Sequence, residues 1–217
     1  MISALGLMLL LGNPAKEPFA EYRLTGPSIT SGKAFLKRLP QPDGGLRTVV
    51  SLNFEGNGAK IESRSIGIYD SEGRQTELSL RQTVNGQVNL DLSAKIAEDV
   101  ARVTGKQGQR EVDEAFRLPD GTKRENASTF WFSPTVPPKG TRSVSYNFGL
   151  GDLNWNLTQV TYVGTREVLW QDKKTEVYEV LSESKGESFR TLVLPGGTVY
   201  EMRTPQITLT LVKQHPG

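Results

Sequence analysis

The sequence predicts an all-β protein built on a strongly curved, mainly antiparallel up-and-down sheet, a half-barrel or a two-layer arrangement, with at most one or two short helices. Three observations predict it. Apolar residues recur at every second position from Glu21 onward, the period that turns one strand face toward a core. Turn residues interrupt the alternation roughly every 8 to 12 positions. The resulting segments number about twelve to fourteen and are joined by short links, more than an open sheet holds without curling or splitting.

Residues 1–20 precede this pattern. The run Ile2 to Gly12 is apolar but too short to cross about 30 Å of hydrocarbon. Its length suits the apolar region of a signal peptide, with Ala15 or Ala20 before a cut. No Lys or Arg precedes it, and Asn13 or Pro18 stands three positions before the cut. A buried first strand or helix is the competing reading. The expected organisation is an export segment or disordered N-terminus over 1–20 and a single β-rich domain over 21–217.

Along the domain, Lys33, Lys37 and Arg38 in KAFLKR read as a charged strand face or as protection of a sheet edge. Thr48, Val50, Leu52 and Phe54 turn inward while Arg47, Ser51 and Asn53 turn out. Asn57–Gly58 and Asn85–Gly86 are hairpin signals, because both central residues of a type I′ turn need positive φ. A further hairpin is expected at Ser71 to Gly73. In SAKIAEDVARVTG a helix competes, since Ile96, Val100 and Val103 fall at helical spacing; the alternation after it favours a hairpin over Asp99 to Phe116. LPDGT (118–122) and LPGGT (194–198) read as corners, with Pro presetting φ and Gly supplying a positive one. Neither opens onto a helix, as a phosphate loop requires. Between them lies NASTFWFSPTVPPKGTRS, whose prolines remove ladder donors. The strands SVSYNFG, WNLTQVTYVG, REVLW, TEVYEVLS, SFRTLVL, TVYEMR and QITLTLVK complete the count.

Composition narrows the chemistry. With no cysteine among the 217 residues, disulfides, thiolate metal sites and thiol nucleophiles are excluded. The single histidine, His215, lies near the C-terminal end, which removes Ser/His/Asp triads and most zinc sites. Neither metal nor cofactor is expected. A net charge of +2 supplies no field to recruit nucleic acid. Adjacent carboxylates such as Asp113 and Glu114 fall on opposite strand faces, where they share no acid–base work. The candidate ligand- or partner-binding residues are the aromatics Phe130, Trp131, Phe132, Trp155 and Trp170. Core packing is the ordinary fate of such rings. Three consecutive rings, however, do not all point to one side of an extended chain.

The C-terminal half also presents a familiar order: VPPKGT, strand YNF, VTYVGTREV, TEVYEV and the hairpin LPGGTVYEMRTPQITLTL. Gly140 and Thr141, Val163, Gly164 and Glu167, Tyr178, and Gly197 to Val199 carry it, and LTGPSITSGKAFLKR supplies a matching opening strand pair. This resembles bacterial extracytoplasmic β-rich domains of unknown function that occur alone or ahead of transglutaminase-like modules. It departs from them in having LPGG where an acidic pair is usual. The resemblance implies a half-barrel similar in outline to the lipoprotein-localisation carriers LolA and LolB, which hold acyl chains on a concave apolar face.

The expected function is therefore a non-enzymatic cell-envelope or secreted protein that binds a lipid or other hydrophobic ligand on its curved sheet. The inward positions Leu90, Leu92, Phe116, Tyr146 and Phe148 are expected to line an unfilled cavity. The alternative is an accessory interaction module that docks a protein partner, such as a transglutaminase-like or protease domain, and binds nothing inside. An enzyme is a distant third. No transmembrane span and no nucleic-acid partner are expected, and the place of residence is extracytoplasmic.

Overall fold

A computed structural model describes residues 19–122 and 135–215. Phe130, Trp131 and Phe132 lie outside the described residues, as does the apolar run Ile2 to Gly12. Two meanders make up the rest. The first contains β1 (Phe19–Thr25), β2 (Ser31–Pro40), β3 (Leu46–Gly56), β4 (Ala59–Tyr69), β5 (Gln75–Val84), β6 (Gln87–Ala97), β7 (Val100–Gln107) and β8 (Arg110–Arg117). The second contains β9 (Arg142–Gly149), β10 (Asn154–Trp170), β11 (Lys173–Ser184), β12 (Glu187–Val193), β13 (Val199–Arg203) and β14 (Thr208–His215). Chain neighbours pair antiparallel within each meander, and β1 pairs antiparallel with β14. The result is one sheet of 14 strands running from β8 at one edge to β9 at the other, and no helix occurs among the described residues.

Turn chemistry sets the register. Asn57 and Gly58 have φ of 50° and 74°, and Asn85 and Gly86 have 51° and 79°, the mirror-image geometry that matches strand twist. Glu98–Asp99 (48°, 62°) and Gln171–Asp172 (50°, 60°) adopt the same positive φ without glycine. The turn at Glu98–Asp99 resolves SAKIAEDVARVTG as strand, turn and strand: Ile96 pairs with Ala101, and Ala97 with Val100. Ile96, Ala101 and Val103 are buried, so inward alternation outweighs the helical spacing.

Two sequence expectations are corrected by particular residues. WNLTQVTYVG and REVLW form the single 17-residue strand β10. Its ladder with β11 shifts register between Tyr162 and Gly164, where Gly164 takes φ 138°, so the strand bends at a bulge without ending. The basic segment KAFLKR protects no edge, because β2 lies between β1 and β3. Lys33 faces out, 3.9 Å from Glu21. Arg38 lies on the opposite face of the strand, where Nη1 donates to the Gly197 carbonyl at 3.3 Å. Charge protects the true edge β8 instead, through Arg110, Glu111, Asp113, Glu114 and Arg117.

Two cores hold the sheet in its curve. One surrounds the β1–β14 junction and includes Leu24, Val50, Val180, Met202 and Leu209. The other gathers Leu80, Leu92, Ile96, Val103 and Val112 from β5–β8 with Phe148, Leu150 and Trp155 from the second meander. At this second core the sheet curls until its ends meet. The Phe148 ring lies 5.5 Å from both Phe116 and Trp155, and Trp155 Nε1 donates to the Phe116 carbonyl at 3.0 Å. Side chains bridge this seam, since β8 and β9 share no ladder. Both LP(D/G)GT segments are turns. Thr122 N donates to the Pro119 carbonyl at 3.2 Å, and Leu194 N to the Thr198 carbonyl at 2.7 Å.

Candidate ligand cavity

Register places three inward rows side by side. Val50 of β3 pairs with Ser65 of β4, which pairs with Leu80 of β5. Leu52, Ser63 and Gln82 form the next row, and Thr48, Gly67 and Leu78 the one on the other side. Thus β4 presents serine, serine and glycine where its neighbours mostly present branched apolar chains. Ser63 and Ser65 leave a trough along β4 with unfilled interior above it, and at Gly67 the trough ends against the Tyr69 ring, 2.9 Å from where a Cβ would stand. The cavity measures about 470 Å³, within the range of small-molecule sites. Asn147, Phe148, Leu150, Asp152 and Asn156 face the trough from β9, β10 and their connection.

Burial is graded along the cavity. Thr48, Tyr69 and Gln75 are buried at one end, whereas Asn57 and Asn89 are exposed at the other. The buried end carries a polar brace. Gln75 Oε1 accepts from the Phe148 backbone N–H at 2.8 Å, tying β5 to β9 across the interior. Thr48 Oγ1 donates to the Gly67 carbonyl at 3.4 Å. Burial pushes the Tyr69 phenol above its ordinary pKa, against hydrogen bonds with Gln75 and Thr48 and the nearby Arg38 charge. Tyr69 is therefore neutral at physiological pH. The raised pKa makes its contribution to stability complete below about pH 10 and lost as pH rises through the folded value. Denaturant titrations from pH 8 to 12 are expected to show this alkaline decline, and Tyr69→Phe to flatten it.

On the facing wall, Asp152 pairs with Lys185 and accepts from the Asn156 amide at 3.4 Å. The same amide donates to the Asn154 carbonyl at 3.2 Å. A Cβ at Gly149 would stand 2.3 Å from Asp152 Oδ1 and 2.8 Å from Asn156 Nδ2, so a larger residue there would displace both side chains from this arrangement. Asp152 is the one charged residue among the described residues lining the cavity. Among those residues no group of three or more His, Cys, Asp or Glu is placed to hold a metal ion. Neutral hydroxyls and amides can orient a ligand here by hydrogen bonds.

The aromatic residues singled out from sequence occupy other positions. Trp155 lies in the second core and borders no part of the cavity. Trp170 packs edge-on against Tyr200 at 5.9 Å, where the Tyr200 hydroxyl donates to the Leu169 carbonyl at 3.2 Å. Leu90, Leu92 and Phe116 fill the second core, with Tyr146 packed against it. Of the five inward positions expected to line a cavity, Phe148 does so. The residues that make the trough, Ser63, Ser65 and Gly67, carried one signal in the sequence: small side chains at every second position of ESRSIGIY.

No family model and no curated protein matches the sequence. The fold is similar to a crystal structure described as a beta-barrel-like protein of domain of unknown function DUF1849 from Brucella abortus. The TM-score is 0.68 at 13% identity, covering 93% of this chain and 98% of that one. The likeness is one of fold, and it extends over a β-rich domain of unknown function.

Proposed function

We propose that this protein is a non-enzymatic binding protein of the cell envelope or extracellular space, and that its curved sheet holds a lipid or another hydrophobic ligand. The unfilled cavity of about 470 Å³ between β3–β5 and the β9–β10 wall carries this reading. Interiors are ordinarily packed to crystal-like density, so a row of small residues facing unfilled space is a shape for an occupant. Val50, Leu52, Phe54, Leu78 and Leu80 supply apolar surface, and a few serines and amides supply orientation, the usual balance of a small-molecule site. The resemblance to carriers with acyl chains on a concave face, and the apolar run at Ile2 to Gly12, support the ligand class and the extracytoplasmic location. Native mass spectrometry after gentle purification tests the reading. An adduct of lipid mass, removed by organic extraction, is expected; a bare polypeptide mass in every preparation counts against it.

One observation favours the alternative, an interaction module. At the β9 edge, Val144 and Leu157, on the strand face they share with Tyr146 and Phe148, are 37% and 46% exposed, and β9 contains no charged residue after Arg142. An exposed, uncharged edge is open to strand addition. A photo-crosslinker at Leu157 that yields one discrete protein adduct in the producing cell, together with a bare native mass, would favour docking over carriage.

A further inference from the structure

We infer that the cavity selects an uncharged amphiphile, an acyl chain ending in a hydroxyl-, ester- or amide-bearing head, and rejects carboxylate and phosphate heads. This rests on the binding role proposed above and narrows it to a chemical class.

The lining decides the charge. Among the described residues no Lys, Arg or His lines the cavity, and its one carboxylate, Asp152, is already paired with Lys185. The nearest inward cation by register is Arg38, which pairs with Thr48 on the neighbouring strand. Its guanidinium is directed to the Gly197 carbonyl and forms no part of the lining. A carboxylate drawn into this space finds no cation in the lining, since Lys185 is already engaged by Asp152, and keeps most of the cost of leaving water. It binds instead as the neutral acid, so its affinity falls as pH rises.

The lining also provides for a neutral head. Ser63 and Ser65 project into the trough beside Leu52, Val50 and Leu80. Neither makes a side-chain hydrogen bond to another described residue. Each hydroxyl offers a donor and an acceptor, a pair suited to hydroxyl, ester or amide groups. The Asn147 and Asn156 side chains add uncharged polarity from the facing wall.

Monoolein and oleate share one acyl chain and differ in the head, so calorimetric titration of the intact protein with each at about pH 7 and pH 9 isolates the selection. Monoolein is expected to bind equally at both values. Oleate is expected to be at least about tenfold weaker than monoolein at the higher pH, one decade per pH unit once it ionises. The double variant Ser63→Ala/Ser65→Ala is expected to weaken monoolein about three- to tenfold through lost hydrogen bonds. Oleate binding at about pH 9 as tightly as monoolein would overturn the charge selection and leave the binding role standing. Undiminished monoolein affinity in the double variant would overturn the placement of the head at the serines. Heat from neither ligand, in protein stripped of lipid, would remove the binding role and the selection together.

Discussion

Replacing Trp155 with alanine is expected to destabilise the protein by about 3–5 kcal/mol. The side chain is buried, its ring meets Phe148 edge-on, and its indole N–H donates to the Phe116 carbonyl of β8. Truncation thus removes a large buried ring and one of the hydrogen bonds that cross the seam, where no ladder spans the gap. Trp155→Phe separates the two effects. It retains most of the ring and loses the N–H, and is expected to cost about 1–3 kcal/mol. Chemical denaturation of both variants measures the totals. Hydrogen exchange locates them, with the earliest gain in exchange expected in β7 and β8. A Trp155→Ala protein as stable as wild type would mean that the seam contributes nothing to closure.

The second large effect falls on the junction of the meanders. Among the described residues, β1 with β14 is the one ladder joining strands from opposite ends of the chain. Leu209 is buried there, paired with Leu24 on one side and Met202 on the other. Leu209→Ala is expected to cost about 2–5 kcal/mol through lost burial and the cavity left behind. Its signature is global: the slowest-exchanging amides of β6 and of β11 should accelerate together, because both meanders depend on this ladder for closure. Acceleration confined to β13 and β14 would instead mean that the meanders are stable apart.

Strand positions were legible because they depend on neighbours in sequence. The inward row Thr48, Val50, Leu52 and Phe54 and the two Asn-Gly turns are properties of a few consecutive residues, and each occurs as read. The turns at Glu98–Asp99 and Gln171–Asp172 were harder, since residues with β-carbons hold positive φ there and the hairpin register imposes it. Gly164 was ambiguous for a related reason: a strand glycine marks either a break or a bulge, and the β11 ladder on both sides decides for the bulge. The trough was not legible. Ser63, Ser65 and Gly67 become a cavity floor only once Val50 and Leu80 flank them and Asn147 to Asn156 close over them. Aromatic content drew attention to Trp155 and Trp170, but large rings serve packing before binding, and here one bridges the seam and the other stacks on Tyr200. Small residues on an inward face mark a cavity better than large ones do.

The most direct test of an occupied interior is a methyl NMR titration of the lipid-stripped protein with monoolein. Methyl shifts are expected at Val50, Leu52, Ile61, Leu78 and Leu80, all lining the cavity, with the exposed Leu169 and Val212 methyls unmoved. Shifts confined to the exposed Val144 and Leu157, or no shifts at all, would contradict ligand binding inside the curved sheet.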